Sequence, residues 1–128
     1  MTTQEELLKL IELENKRQMI SACNEASTKV NEVYGQVRLN EKPGEADDNK
    51  FKLQEALTWE VYALLTKGKN QKIPIKGAYV QMTFSDGTEV ILKTQGNGLA
   101  HFQPWILGRV KYEVPGIINN KGFFDVIE

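Results

Sequence analysis

The sequence predicts an α+β fold: a long N-terminal helix and a second helix, followed by a small antiparallel β-sandwich. Three observations predict it. Residues 3–34 contain neither proline nor glycine and space their apolar residues by threes and fours, the period of a helix with one covered face. Residues 53–65 repeat that spacing. From Ile73 onward the apolar period drops to two, and short alternating runs are separated by glycine-, asparagine- and aspartate-containing turns. The expected division is a helical docking or oligomerisation segment over residues 1–68 and a β-sandwich domain over residues 73–128.

The first helix is expected to begin at Thr3, because Thr3-Gln4-Glu5-Glu6 forms a capping box in which side chain and backbone satisfy each other's free donors. Leu8, Ile11, Met19, Ala22, Ala26, Val30 and Val33 line one stripe, with polar Asn15 in the gap, and Gly35 is the expected stop. A continuous helix of this length spans roughly 45–50 Å, more than a small β module can cover. The pattern covers about four heptads with asparagine at a core position, where coiled coils fix register and oligomeric state. Leu7, Leu10 and Leu13 widen the apolar surface. Both a monomeric helical hairpin and a coiled-coil-like segment that self-associates or docks on a partner are compatible with this pattern.

Pro43-Gly44 marks a turn, and Asp47-Asp48-Asn49 supplies caps for the second helix. Leu53, Leu57, Val61, Leu64 and Leu65 share a face of it, Phe51, Trp59 and Tyr62 broaden that face, and Gly68 ends it.

In the C-terminal part Val80, Met82 and Phe84 alternate with Tyr79, Gln81 and Thr83, and Ser85-Asp86-Gly87 turns the chain into a hairpin partner over 88–94. A second turn at 95–98 precedes a strand in which Ala100 and Phe102 face one way and His101 and Gln103 the other. Pro104 ends it. Residues 109–114 follow, with Val110, Tyr112 and Val114 on one face, and a turn at 119–122 leads to a last strand at 123–127. Its adjacent Phe123 and Phe124 must point to opposite sides.

Gly77-Ala78-Tyr79-Val80, then Thr94 to Phe102 with Gly98 and Ala100 at fixed offsets, then Gly108 to Val114, carry a resemblance. Residues 73–128, and no more of the chain, resemble the prealbumin-like, Ig-like sandwiches of carboxypeptidase regulatory-like domains and collagen-binding B-type repeats. Their pattern is G-A-x-V, T-x-x-x-G-x-A-x-F and G-x-Y-x-V. The last element is one residue longer here, as a bulge would make it. The resemblance implies a fold and no activity, since its residues serve turns and packing.

Composition limits the chemistry. Sixteen Lys and Arg balance seventeen Asp and Glu, so no net field draws nucleic acid. No apolar run approaches the ~18 residues of a membrane span, and the acidic start does not read as a signal peptide. Cys23 is the single cysteine and His101 the single histidine, which leaves no disulfide within one chain and no thiolate or imidazole cluster for a metal. Cys23 is expected to be a small buried hydrophobe and His101 a surface residue. Gly96-Asn97-Gly98 lacks the following helix of a phosphate loop, and no serine or cysteine is paired with a base. No enzyme activity and no cofactor are expected.

These readings favour a non-catalytic structural protein made in the cytoplasm without a signal peptide. Its helices would dock on or assemble with other protein subunits, forming a homo-oligomer through the first helix or joining other chains, and display the sandwich. A bacteriophage head, neck or tail accessory protein fits, incorporated into the virus particle. The alternative is a cytoplasmic adaptor or inhibitor that binds through a sandwich edge or the Trp105 loop. Trp105 follows Pro104 in a loop, as a plug at the end of the sandwich or as an exposed aromatic anchor. The residues expected to carry contact are the stripe from Leu8 to Val33, with Trp105 and Phe123.

Overall fold

The computed structural model describes residues 3–39, 50–67, 72–117 and 121–128. The expected turn at Pro43-Gly44, the caps at 47–49, the stop at Gly68 and part of the turn at 119–122 lie outside the described residues.

Helix α1, Gln4–Glu25, starts where the capping box places it, with the Glu6 backbone N–H donating to Thr3 Oγ1 at 3.2 Å. It stops nine residues short of the expected end. Ser27 takes a left-handed φ of 54°, the Thr28 N–H donates to the Cys23 carbonyl and the Ser27 N–H to the Asn24 carbonyl. This is the Schellman ending, built on serine where glycine is usual. A short 3₁₀ turn, Val30–Glu32, then leads into strand β1, Val33–Leu39.

The second helix is not present. Residues 57–65 form strand β3, Leu57–Leu65, and among the described residues α1 is the one α-helix, so neither a helical hairpin nor a pair of helices exists. Leu57, Trp59, Val61 and Ala63 are 0–1% exposed and alternate along β3 with half-buried residues. Trp, Val, Tyr and Thr in this run are strand formers. The helical spacing arose because β3 is paired on both flanks and partly covered on both faces: Tyr62, on the face away from the core, is also buried. An apolar run of this kind fits both periods.

The remaining strands are β2 (Lys50–Lys52), β4 (Lys72–Pro74), β5 (Tyr79–Thr83), β6 (Glu89–Lys93), β7 (Leu99–Phe102), β8 (Gly108–Glu113) and β9 (Gly122–Ile127). In the first sheet β3 pairs with β1 along one flank. Along the other it pairs with β7 over Leu57–Glu60 and then with β4 over Tyr62–Leu64. All of these pairings are antiparallel. The second sheet runs β2-β9-β8-β5-β6, antiparallel except for β2 beside β9. β3 thus lies N-terminal to the expected boundary at residues 68–73 and is hydrogen-bonded to strands beyond it.

The inward faces of the two sheets share one core, an arrangement compatible with a β-sandwich. Trp59 sits at its centre. Its ring lies 4.5 Å from Tyr112, 6.0 Å from Phe124 and 6.1 Å from Phe102, and its indole N–H points at Met82 Sδ at 3.3 Å. Val80, Met82, Val110, Val114, Phe124 and Val126 fill the opposite side. Thr94, buried, donates to the Ile75 carbonyl and accepts from the Ala78 N–H, tying down the turn before β5.

Candidate functional site

The surface built by α1 is where the expected contact residues concentrate, and its inner face is already occupied. Ile11, Asn15, Met19 and Ala22 are 0–9% exposed and lie against the chain's own β domain, with Leu8 half buried beside them. Cys23 is 1% exposed, and burial pushes its thiol pKa up.

Asn15 sets the register of this docking. Two residues beyond the Gln81–Glu113 pair, the β5–β8 register brings Tyr79 opposite Pro115, which has no N–H to offer. The Asn15 side chain fills that gap: its Oδ1 accepts from the Tyr79 N–H at 2.7 Å, and its Nδ2 donates to the Tyr79 carbonyl at 3.2 Å and the Pro115 carbonyl at 2.8 Å. Next to it Gly116, at φ 86°, lets the helix backbone approach so closely that an added Cβ would stand 2.5 Å from the Glu12 carbonyl oxygen. The asparagine that resembled a coiled-coil register residue is a substitute for a missing strand neighbour.

The other stripe members are scattered. Ala26 is exposed at the end of α1, Val30 is 45% exposed in the 3₁₀ turn, and Val33 is buried at the start of β1. Leu7, 45% exposed, lies at the margin of the inner stripe, where it lines a shallow cavity with Leu8, Ile11 and Gln81. Leu10 and Leu13 face away from the stripe, 59% and 64% exposed, and Ile20 joins them at 46%. Ile20 was not singled out by sequence, although its spacing to Leu13 was readable there.

The outer face of the second sheet carries Phe123, which points outward as expected, while Phe124 enters the core. The Arg109 guanidinium lies over the Phe123 ring at 4.1 Å and donates through Nε to Asp125 Oδ1 at 3.0 Å, a pairing that raises its own pKa. Gln81, Thr83, Lys111 and Phe123 border a shallow cavity of about 400 Å³. The Gln81 Oε1 atom is buried and accepts no hydrogen bond among the described residues.

Trp105 is 53% exposed and rests one side of its ring 4.9 Å from Phe84, so it covers the sheet end and still shows an open face. His101 is exposed on β7, its Nδ1 2.9 Å from the Thr58 hydroxyl. Among the described residues no three His, Cys, Asp or Glu side chains are grouped to hold a metal, and no helix is long and apolar enough to cross a membrane. No protein-family model matches the chain, and no curated protein matches it at significant similarity.

Proposed function

We propose that the chain is a non-catalytic structural protein in which a prealbumin-like sandwich, with α1 fastened to it, assembles with other protein subunits. The observation that carries this reading is that α1 has two apolar faces. One is spent inside the domain, and the other, with Leu10, Leu13 and Ile20, lies open. Exposed leucines aligned along one helix face mark contact surfaces more often than scattered single residues do. The Gly77-to-Val80 and Thr94-to-Phe102 motifs fall on β5 and on the turn into β7, which supports the prealbumin-like assignment. A bacteriophage particle is the proposed setting, as a part folded in the cytoplasm and exposed later without disulfides.

Quantitative mass spectrometry of gradient-purified particles tests the setting. A fixed stoichiometric copy number supports it, and recovery of the chain in the free protein fraction alone overturns it.

The Trp105 loop favours a second reading, an adaptor or inhibitor. Trp105 and Leu107 are 53% and 42% exposed at one end of the domain, as an aromatic anchor for a partner requires. Under that reading Trp105→Ala abolishes partner binding while leaving the open face of α1 without effect.

A further inference from the structure

We infer that the open face of α1 binds a second copy of this chain, with the two helices antiparallel. The inference rests on the assembly reading above and names the partner for that surface.

Glu6, Leu10, Leu13, Arg17, Ile20 and Asn24 recur at alternating spacings of four and three, which gathers them into one narrow seam along the helix. The seam lies about half a turn around from Ile11, Asn15, Met19 and Ala22, so two domains joined through it would sit on opposite sides and would not collide. Its members are all exposed, and the Arg17 side chain, 75% exposed, touches Glu14 one turn back at 3.5 Å.

The charges select both the partner and its direction. A two-fold axis crossing the helix at the level between residues 11 and 12 sets Leu10 against Leu13 of the second copy and Leu13 against its Leu10. The same operation sets Glu6 against Arg17 and Arg17 against Glu6, so both charged positions of the seam meet the opposite sign. A parallel pair in register would place Glu6 on Glu6 and Arg17 on Arg17. Lys9 and Lys16 flank one side of the seam and approach their counterparts, a repulsion that opposes the association and keeps it concentration-dependent. A two-fold contact in which one patch meets itself is the commonest closed assembly, and this seam is self-complementary in the required sense.

Sedimentation velocity on the full chain over a wide concentration range tests the inference, with circular dichroism on each variant as the control for folding. The expected result is a monomer–dimer equilibrium that Leu10→Glu and Leu13→Glu each shift at least tenfold towards monomer. Glu6→Arg and Arg17→Glu each weaken the dimer, and the double exchange restores it, which a parallel pair would not do. A wild-type chain that stays monomeric at millimolar concentration, or a dimer indifferent to Leu13→Glu, overturns the inference. The broader reading fails separately: it falls if the wild-type chain is recovered in the free protein fraction alone, whatever its oligomeric state.

Discussion

Asn15 on α1 and Tyr79 on β5 exchange two hydrogen bonds as if they were neighbours in a β ladder, although sixty-four residues separate them. The side-chain amide supplies the donor and acceptor that Pro115 and the end of β8 leave missing. Removing it should be costly out of proportion to its size. Asn15→Leu is expected to destabilise the chain by about 2–4 kcal/mol, because buried backbone groups lose their partners. Urea denaturation measures this, and a change below about 0.5 kcal/mol would show that the helix is held by apolar contact alone.

Gly116 makes the same junction possible from the other side. A Cβ there meets the Glu12 carbonyl oxygen, and the backbone is left-handed at φ 86°. Gly116→Ala is therefore expected to cost about 2–3 kcal/mol and to loosen α1 first. Faster proteolysis within α1 than within β3 is the outcome to look for. Uniform protection would place the strain elsewhere.

Ser27 holds a conformation that glycine adopts without steric penalty. Ser27→Gly should raise stability by about 0.5–1 kcal/mol, the relief of a left-handed side chain less the added chain entropy of glycine. Thermal unfolding monitored by circular dichroism would register the gain, and a loss would mean that the serine side chain contributes more than its backbone costs.

A buried thiol and a half-buried phenol make the fold sensitive to alkali. Burial raises the folded pKa of Cys23 and of Tyr112 above the ordinary values of about 8.5 and about 10. The folded chain therefore holds both protons more tightly than the unfolded chain does. Their contribution is complete below each unfolded value and is lost as pH rises through each folded value. Stability measured between pH 7 and 11 should fall in two stages, and Cys23→Ala should remove the first and Tyr112→Phe the second. A wild-type profile flat to pH 11 would contradict this.

The last five strands were legible because alternation and turn chemistry agree there: Gly87 and Gly98 take the positive φ their turns need, and Val80, Met82, Val110 and Phe124 all reach the core. β3 was illegible because Tyr62 and Leu64 on its outer face interrupt the alternation, so that Leu57, Val61, Leu64 and Leu65 match a helix by chance. The end of α1 was missed because Ser27 occupies a position where glycine is the usual signal. Periodicity identified Ile11, Asn15, Met19 and Ala22 as one face correctly, but a period cannot say what covers a face. Here the cover is the domain itself, and Leu10, Leu13 and Ile20 lie on the opposite, exposed face.

The parallel pairing of β2 with β9 joins Lys50–Lys52 to Asp125–Ile127, segments about seventy-five residues apart. Closing such a loop costs chain entropy before the pairing returns any of it, so this edge should form after β5, β6 and β8 have assembled. The β2 edge then pairs after the rate-limiting step, and mutations in β2 should speed unfolding while leaving the refolding rate nearly unchanged.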